Sequence, residues 1–557
     1  MTIILGLTTS HHDGAISLVV DGKLKGAISK ERYTRVKKDG YGNDRDLIIK
    51  FLQEHNLQPK DIDYVAFSDD TQLVKSETQQ YIKFYKNEKN FQPEKSITMT
   101  SPHHEVEAEI DGRKIPAYQV QHQLSHCAYT FFTSNKKNAV CVSMDASGPD
   151  PLCSSIIAKG EDTKIEIIKF PELQIGNFYN MMTPYIGLGP GLFKAGSLMG
   201  LASYGEPNDF AKEKWQECKE YDMRTRPFIE EERKGYDYEL TWLELTGGIP
   251  NNHDEKFFKK DSDKAKEIAA SVQYIFEKVI LDEIKKVYEE TKNFHEDNIC
   301  LTGGSFLNCN VNTLIKDETN FKTINLSPAC GDDGLAAGAA LYVAHHILKL
   351  PRKKYKPKEV MYLGGKYDVP KNIGEKYEPK KIAKLLSEGK VIAWFQGRSE
   401  FGPRALGNRS LLADPRNPNM RDHLNFNVKH REWFRPYAPS VLAEKSKDWF
   451  DFDDDSPYML FTMNVKKPKK VPAITHVDGT ARIQTVRKED NPRYYELIQE
   501  FEKITKVPMI LNTSLNGNGE PILETPEDAF NFLKKAECDL LVIEDRVIKK
   551  EDLNDQK

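Results

Sequence analysis

Residues 2–28, TIILGLTTSHHDGAISLVVDGKLKGAI, decide the fold. Thr2–Leu7 and Ala15–Val20 are apolar runs of strand length. Asp21-Gly22 is a pair favoured in two-residue hairpins, where the backbone must enter the left-handed region. The stretch predicts a three-stranded antiparallel start, with the polar loop SHHDG after its first strand. Near residue 139 the pattern restarts: AVCVSMDASG, then SSIIA, a turn expected at Lys159-Gly160, and KIEII. Two such units, each with a polar, small-residue loop after its first strand and each followed by helices, predict a duplicated α/β domain with a cleft between its halves.

The actin and sugar-kinase group is built in this way, with nucleotide phosphates at the loops that end the strands. Further along, Lys264–Glu290 has helical periodicity, NICLTGGSFLN reads as a buried strand, and SPACGDDGLAAGAALYVAHH reads as a small-residue turn opening a helix. With 557 residues the chain exceeds one hydrophobic core, so two large domains are expected. The proline- and charge-rich segment Leu350–Lys358, LPRKKYKPK, divides them into residues 1–352 and 353–557.

A formal net charge of -4 gives no global footprint for nucleic acid or an acidic membrane. No stretch approaches eighteen apolar residues, and the N-terminus does not read as a signal peptide, so no membrane span is expected. The eight cysteines form no Cys-x-x-Cys pair and read as reduced core thiols of a cytoplasmic protein. Nothing in the sequence fixes an oligomeric state.

Phe401–Val441, FGPRALGNRSLLADPRNPNMRDHLNFNVKHREWFRPYAPSV, interleaves Arg404, Arg409, Arg416, Lys429, Arg431 and Arg435 with turn-formers and aromatics. A solvated helix face is not patterned like this, whereas a pocket for phosphate or carboxylate oxygens is. In the first half, His122 and His126 are spaced i, i+4, which on a helix sets both imidazoles on one face. Core or surface histidine pairs share that spacing. Asp145, ending an apolar strand, and Asp332, in a glycine-rich turn, add two carboxylates; otherwise they serve as turn and cap residues. Two imidazoles with two carboxylates suit iron, manganese or zinc. His12, just after the first strand, is placed to face the cleft and act as a base toward a hydroxyl. Gly303-Gly304 is expected to let backbone amides approach a ligand, and Gly196–Gly205, GSLMGLASYG, reads as a cleft wall.

HHDGAISLVVDG with the trailing KERYTRVK, QHQLSHCAY, MDASG, SLMGLASYG, LTGGSFLNCNVN, GDDGLAAGAAL, FGPRALGNRSLLADPR, KHREWFRPYAPSV, DGTARIQTV and LNTSLNGNGEPI occur in order along nearly the whole chain. Together they resemble the nodulation-factor, cephamycin and tobramycin O-carbamoyltransferases. The resemblance implies an actin-like N-terminal domain similar to threonylcarbamoyladenosine synthase and an α+β, YrdC-like C-terminal domain. It implies that the latter makes carbamoyl adenylate from carbamoyl phosphate and ATP, with Mg2+, and that the former transfers the carbamoyl group to a hydroxyl of a small-molecule acceptor. The family's metal site, with Fe2+ expected ahead of Mn2+ or Zn2+, falls on His122, His126, Asp145 and Asp332, with Asp333 second to Asp332. Its base falls on His12, and its carbamoyl phosphate and adenylate pocket on Arg404, Lys429 and Arg435, with Arg482, Asn512 and Ser514 nearby. Two positions depart from the family: Lys30 stands at a commonly acidic position, and Ser197 at a commonly lysine one, for which Lys194 is the nearest replacement.

Two other readings share parts of this pattern. A phosphotransferase of the sugar-kinase type leaves Phe401–Val441 without a role, and a carbamoyltransferase acting on a protein thiol resembles this chain with added acylphosphatase and zinc-finger modules. The acceptor is not legible; the charged, aromatic segment Asp222–Asp261 carries no readable motif.

Overall fold

A computed structural model describes residues 1–40, 42–68, 81–86, 101–146, 154–171, 173, 175–216, 259–370 and 372–553. Most of the segment Asp222–Asp261 lies outside the described residues.

The first sheet has seven strands: β1 Ile3–Thr8, β2 Ala15–Val20, β3 Lys23–Ser29, β4 Tyr64–Ser68, β5 Lys83–Lys86, β6 His103–Ile110 and β7 Arg113–Val120, in the order β3-β2-β1-β4-β7-β6-β5. The second has five: β8 Asn138–Met144, β9 Ser155–Glu161, β10 Lys164–Lys169, β11 Asn298–Thr302 and β12 Thr323–Asn325, in the order β10-β9-β8-β11-β12. Each begins with an antiparallel meander and continues into two parallel strands beside its first, β1 with β4 and β7, and β8 with β11 and β12. This twice-used order is the duplicated actin-like fold. The Asp21-Gly22 hairpin forms as read, with φ of 47° and 77°.

The turn of the second meander does not lie at Lys159-Gly160. Both residues are inside β9, and the turn is at Asp162-Thr163, where Asp162 has φ 51°. Position 160 is glycine within that strand because the Phe131 ring lies where a side chain would be.

A helix over Leu335–Tyr342, buried at every position, packs against β1, β2, β4 and the helix His122–Thr133. Methyl groups at Gly6 or Gly338 would collide with the Ala336 or Ser125 carbonyl, so both are glycine where two backbones meet. Fully burying a leucine such as Leu335 or Leu341 contributes roughly 1.5–3 kcal/mol, and both are 0% exposed.

Beyond Leu350–Lys358 lies a mixed sheet of nine strands: β13 Glu375–Lys376, β14 Ile392–Phe395, β15 Arg409–Ala413, β16 Ala438–Leu442, β17 Phe461–Asn464, β18 Thr480–Val486, β19 Met509–Ser514, β20 Leu540–Ile543 and β21 Arg546–Ile548. Their order is β13-β21-β20-β14-β15-β19-β16-β18-β17. Helices Pro379–Ser387, Pro492–Thr505 and Pro526–Lys535 join it around a core that includes Trp394, Leu411 and Phe501. This is the α+β part. It is fastened to the actin-like part by Asn312 Nδ2 donating to Leu460 O (2.9 Å), Thr313 Oγ1 to Thr462 O (2.8 Å), and Arg32 Nη2 to Gly402 O (2.9 Å). The six described cysteines are buried and unpaired by disulfides. Among the described residues no helix is long and apolar enough to cross a membrane.

Candidate active site

Gln121 caps the helix His122–Thr133 by accepting from Leu124 N at 2.6 Å, which fixes His122 and His126 one above the other in its first turns. Their rings lie 5.0 Å apart. β8 ends at Met144, so Asp145 falls at its carboxyl end, where Oδ1 accepts from Ala146 N at 2.7 Å. Asp332 opens a short turn before Leu335–Tyr342, and Thr8, at the end of β1, donates from Oγ1 to Asp332 O at 3.3 Å. One ligand atom from each of His122, His126, Asp145 and Asp332 lies within 4.8 Å of the others, and all four residues are buried.

His126 Nε2 is 3.1 Å from Asp145 Oδ2 and 3.3 Å from Asp332 Oδ1; His122 Nε2 is 3.7 and 3.5 Å from the same two oxygens. Burial disfavours charge on His122, yet the nearby Asp332 and Asp145 carboxylates push its pKa up to about 10. Burial acts the other way on Asp332, but the His122 charge holds its carboxyl well below the usual range. Two buried carboxylates thus demand positive charge between them, and both Nδ1 atoms and His122 Nε2 lack hydrogen-bond partners. That set fits a divalent cation. Asp333 points elsewhere: burial first, then the Asp13 charge, raises its pKa to about 7.

His12 lies beside this cluster. Its Nδ1 is 3.1 Å from Asp13 Oδ2 and 3.7 Å from Asp332 Oδ2, and Lys38 Nζ holds Asp13 Oδ2 at 2.6 Å. Burial lowers the His12 pKa, but the Asp13 hydrogen bond and the Asp332 charge leave it raised.

The cations of Phe401–Val441 divide. Lys429, 3% exposed, donates to Asn516 O (3.0 Å), Asn516 Oδ1 (2.6 Å) and Ser514 O, and burial followed by the charges of Arg431, Lys37 and Arg435 holds its pKa well below the usual value. Burial and Arg431 bring Arg435 down to about 10; burial and Arg482 bring Arg404 to about 9. Arg404 Nε and Arg482 Nε are buried without partners. Asn512, on β19, donates to Ala405 O at 3.2 Å and leaves its Oδ1 unpaired. These residues form one cation-rich pocket.

Arg409 and Arg416 do not belong to it. Arg409 is buried, donates to Gln396 O at 2.7 Å and stacks 3.5 Å over Phe395; Arg416 pairs with Asp414 at 2.6 Å. Gly303 does not offer its amide to a ligand, because it donates to Cys330 O at 2.9 Å, and Gly304 instead makes room for Asp145 Oδ1.

The pocket reaches the actin-like part through Arg435 Nη1, which donates to Ser197 Oγ at 2.5 Å on the helix Gly191–Ala202. On that helix Gly200 faces Pro436 and Phe434, so GSLMGLASYG packs against the C-terminal part. Lys194 does not replace a lysine at position 197: it pairs with Glu432 at 2.8 Å. Sequence reading missed Asp13, which lies in HHDGAISLVVDG, and Lys37 and Lys38, at and just after the end of KERYTRVK.

The family model described as the carbamoyltransferase N-terminus matches residues 3–341, and that of the carbamoyltransferase C-terminus matches residues 383–550. Nodulation protein NolNO of Sinorhizobium fredii is 31% identical, over 97% of this chain and 79% of its own. An uncharacterized protein of Synechocystis sp. is 35% identical, over 99% of this chain and 97% of its own. Among solved structures, the activator of the 2-hydroxyisocaproyl-CoA dehydratase from Clostridium difficile with bound ADPNP is 12% identical with a TM-score of 0.34, covering 64% of this chain and 100% of that one. With both family models in sequence along one chain, this protein belongs to the carbamoyltransferase family and is a transferase enzyme.

Proposed function

We propose that the chain is an ATP-dependent O-carbamoyltransferase working in two steps, one in residues 353–557 and one in residues 1–352. In the first, carbamoyl phosphate yields its phosphate to water, the carbamate oxygen attacks the α-phosphorus of ATP, and pyrophosphate leaves. The product is carbamoyl adenylate. In the second, a hydroxyl of a small-molecule acceptor attacks the carbamoyl carbon, the bond to AMP breaks, and the hydroxyl proton passes to His12.

One observation carries this reading: the chain holds an acid-imidazole cluster and, apart from it, a cation-rich group of opposite charge demand whose Arg435 reaches Ser197 of residues 1–352. Arg404, Lys429, Arg435 and Arg482, with Asn512 and Ser514 around them, bind phosphoryl oxygens of carbamoyl phosphate and of Mg2+-bound ATP; close-set cations favour charge that spreads over such oxygens. His122, His126, Asp145 and Asp332 would hold one divalent metal, Fe2+ before Mn2+ or Zn2+, which would supply Lewis-acid chemistry there. Asp13 and Asp332 engage His12 Nδ1, leaving Nε2 to take the proton. Enclosure between the two parts keeps the labile adenylate from water.

The test is a mixture of the protein, ATP and carbamoyl phosphate. Pyrophosphate and carbamoyl adenylate are expected, with AMP only from adenylate that escapes and hydrolyses. ADP as the only nucleotide product would establish a kinase-type phosphotransferase and overturn the reading.

A further inference from the structure

Arg404 is lightly held at its tip: Nη2 donates to Leu307 O at 3.3 Å, and Nε is buried without a partner. A guanidinium left free in this way keeps its aim through the backbone that carries it. That backbone is gathered on one carboxylate. Glu400, 2% exposed, accepts at Oε1 from Leu406 N (2.8 Å), Asn408 N (2.8 Å) and Arg409 N (3.1 Å). The first of these bonds closes residues 400–406 into a loop with Arg404 inside it. The segment 401–408 has no helix or strand ladder of its own, and it bends at Gly402 and Gly407, with φ of 115° and 101°. The side-chain oxygen of Glu400 therefore takes the place that a ladder carbonyl fills elsewhere.

Other groups hold the rest of the loop. From the N-terminal part, Arg32 Nη2 donates to Glu400 O (3.3 Å) and Gly402 O (2.9 Å), and a methyl at Gly402 would collide with Pro328 O. From the C-terminal part, Asn512 Nδ2 donates to Ala405 O (3.2 Å), and Tyr362 Oη and Gln484 Nε2 each donate to Leu406 O (2.9 Å). These donors secure carbonyls, whereas Glu400 secures three amides by itself. Its Oε2 is buried without a partner. A carboxylate arranged like this acts by its reach, with one oxygen set among backbone donors.

Resting on the two-step reading above, we infer that Glu400 is a positioning residue of the activating step, which holds the loop 401–408 in the shape that aims Arg404 at phosphoryl oxygens. Glu400 touches no substrate and exchanges no proton; it acts through Arg404.

The test is the initial rate of pyrophosphate release from ATP and carbamoyl phosphate, both below saturation. The proteins compared are the unsubstituted one, Glu400→Gln, Glu400→Asp, Glu400→Ala, Arg404→Ala, and the double variant Glu400→Ala with Arg404→Ala. Glutamine presents an oxygen at the same reach, whereas aspartate keeps the charge but withdraws it by roughly 1.5 Å, beyond hydrogen-bond range of the amides. Glu400→Gln is expected within about threefold of the unsubstituted rate, and Glu400→Asp and Glu400→Ala about tenfold below it, the effect of one charged contact. Arg404→Ala is expected to lose at least as much while staying measurable, with Lys429 and Arg435 in place. The double variant is expected to match Arg404→Ala, since a residue that acts through another adds nothing once the other is gone. A double variant about tenfold slower than Arg404→Ala overturns the inference, because a damaged fold or an independent role gives additive losses. Glu400→Gln as slow as Glu400→Ala overturns it in favour of a role for the charge, and an unchanged rate in Glu400→Ala or in Arg404→Ala overturns it outright. No pyrophosphate from the unsubstituted protein would overturn the two-step reading itself, and the role of Glu400 with it.

Discussion

Asp332 faces two ways: Oδ1 lies 3.3 Å from His126 Nε2, while Oδ2 lies 3.7 Å from His12 Nδ1. One carboxylate thus joins the proposed metal cluster to the proposed base. Because His12 is also held through Asp13 and Lys38, its ring orientation depends on residues from three separate stretches of chain.

A general base contributes roughly a hundred- to ten-thousand-fold, so His12→Asn is expected to slow transfer from supplied carbamoyl adenylate by about that factor while pyrophosphate release persists. His11→Asn, one residue away and exposed, is expected to be far milder. Transfer rates of the two variants decide this. A near-normal rate for His12→Asn, or greater damage in His11→Asn, removes His12 from the chemistry.

His126→Ala should strip most of the bound metal, because losing one of four ligands and its oriented partners weakens such sites about 10- to 100-fold or more. Asp333→Asn should retain the metal, since Asp333 stands outside the four-residue cluster. Elemental analysis of both purified variants checks the pair of outcomes. Metal retained in His126→Ala, or lost in Asp333→Asn, would redraw the ligand set.

Glu277 gives a pH effect on stability that is separate from catalysis. Burial first raises its carboxyl to about 7 from an ordinary 4.5, although Gln273 Nε2 donates to its Oε1 at 2.7 Å. With the folded value above the unfolded one, its stabilising contribution is full below about 4.5 and is lost as pH rises through about 7. The melting temperature of the unsubstituted protein should therefore drop relative to Glu277→Gln between pH 6 and pH 8, a window of roughly one unit either side of the folded value. Parallel curves for the two proteins across that range would show that Glu277 is ionised throughout.

The duplicated meander was legible because strand alternation and a hairpin pair such as Asp21-Gly22 are local signals. The turn of the second copy was misread for a reason that is not local: Gly160 is glycine to admit the Phe131 ring, and the true turn carries Asp162 in the left-handed region. The i, i+4 histidines announced a shared face, but which aspartate of Asp332-Asp333 turns inward is set by tight packing around Thr8 and Ala336. Arg409 and Arg416 looked like anion ligands because sequence does not separate a guanidinium that caps carbonyls from one that faces a substrate. The pairing of Arg32 and Arg35 with backbone some 370 and 487 residues away had no signal in the sequence at all.

The Arg435–Ser197 contact sets the last expectation, because it joins the proposed activating pocket to the helix Gly191–Ala202 of the N-terminal part. Lys429→Ala and Arg435→Ala should abolish pyrophosphate release from ATP and carbamoyl phosphate, since each removes a cation from a pocket built around phosphoryl charge. Transfer from supplied adenylate should remain measurable, because neither residue touches His12, Asp13 or the metal cluster. Ser197→Ala removes only the acceptor of one hydrogen bond to Arg435, worth about 1.5–3 kcal/mol with a charged donor, so it should weaken carbamoyl phosphate use about ten- to a hundredfold without abolishing it. Paired assays of the two half-reactions on folded variants check all three. If transfer falls with activation in Lys429→Ala and Arg435→Ala alike, the cation pocket serves both steps and the division of labour proposed here is wrong; if Ser197→Ala matches them, the contact itself is part of the activating site.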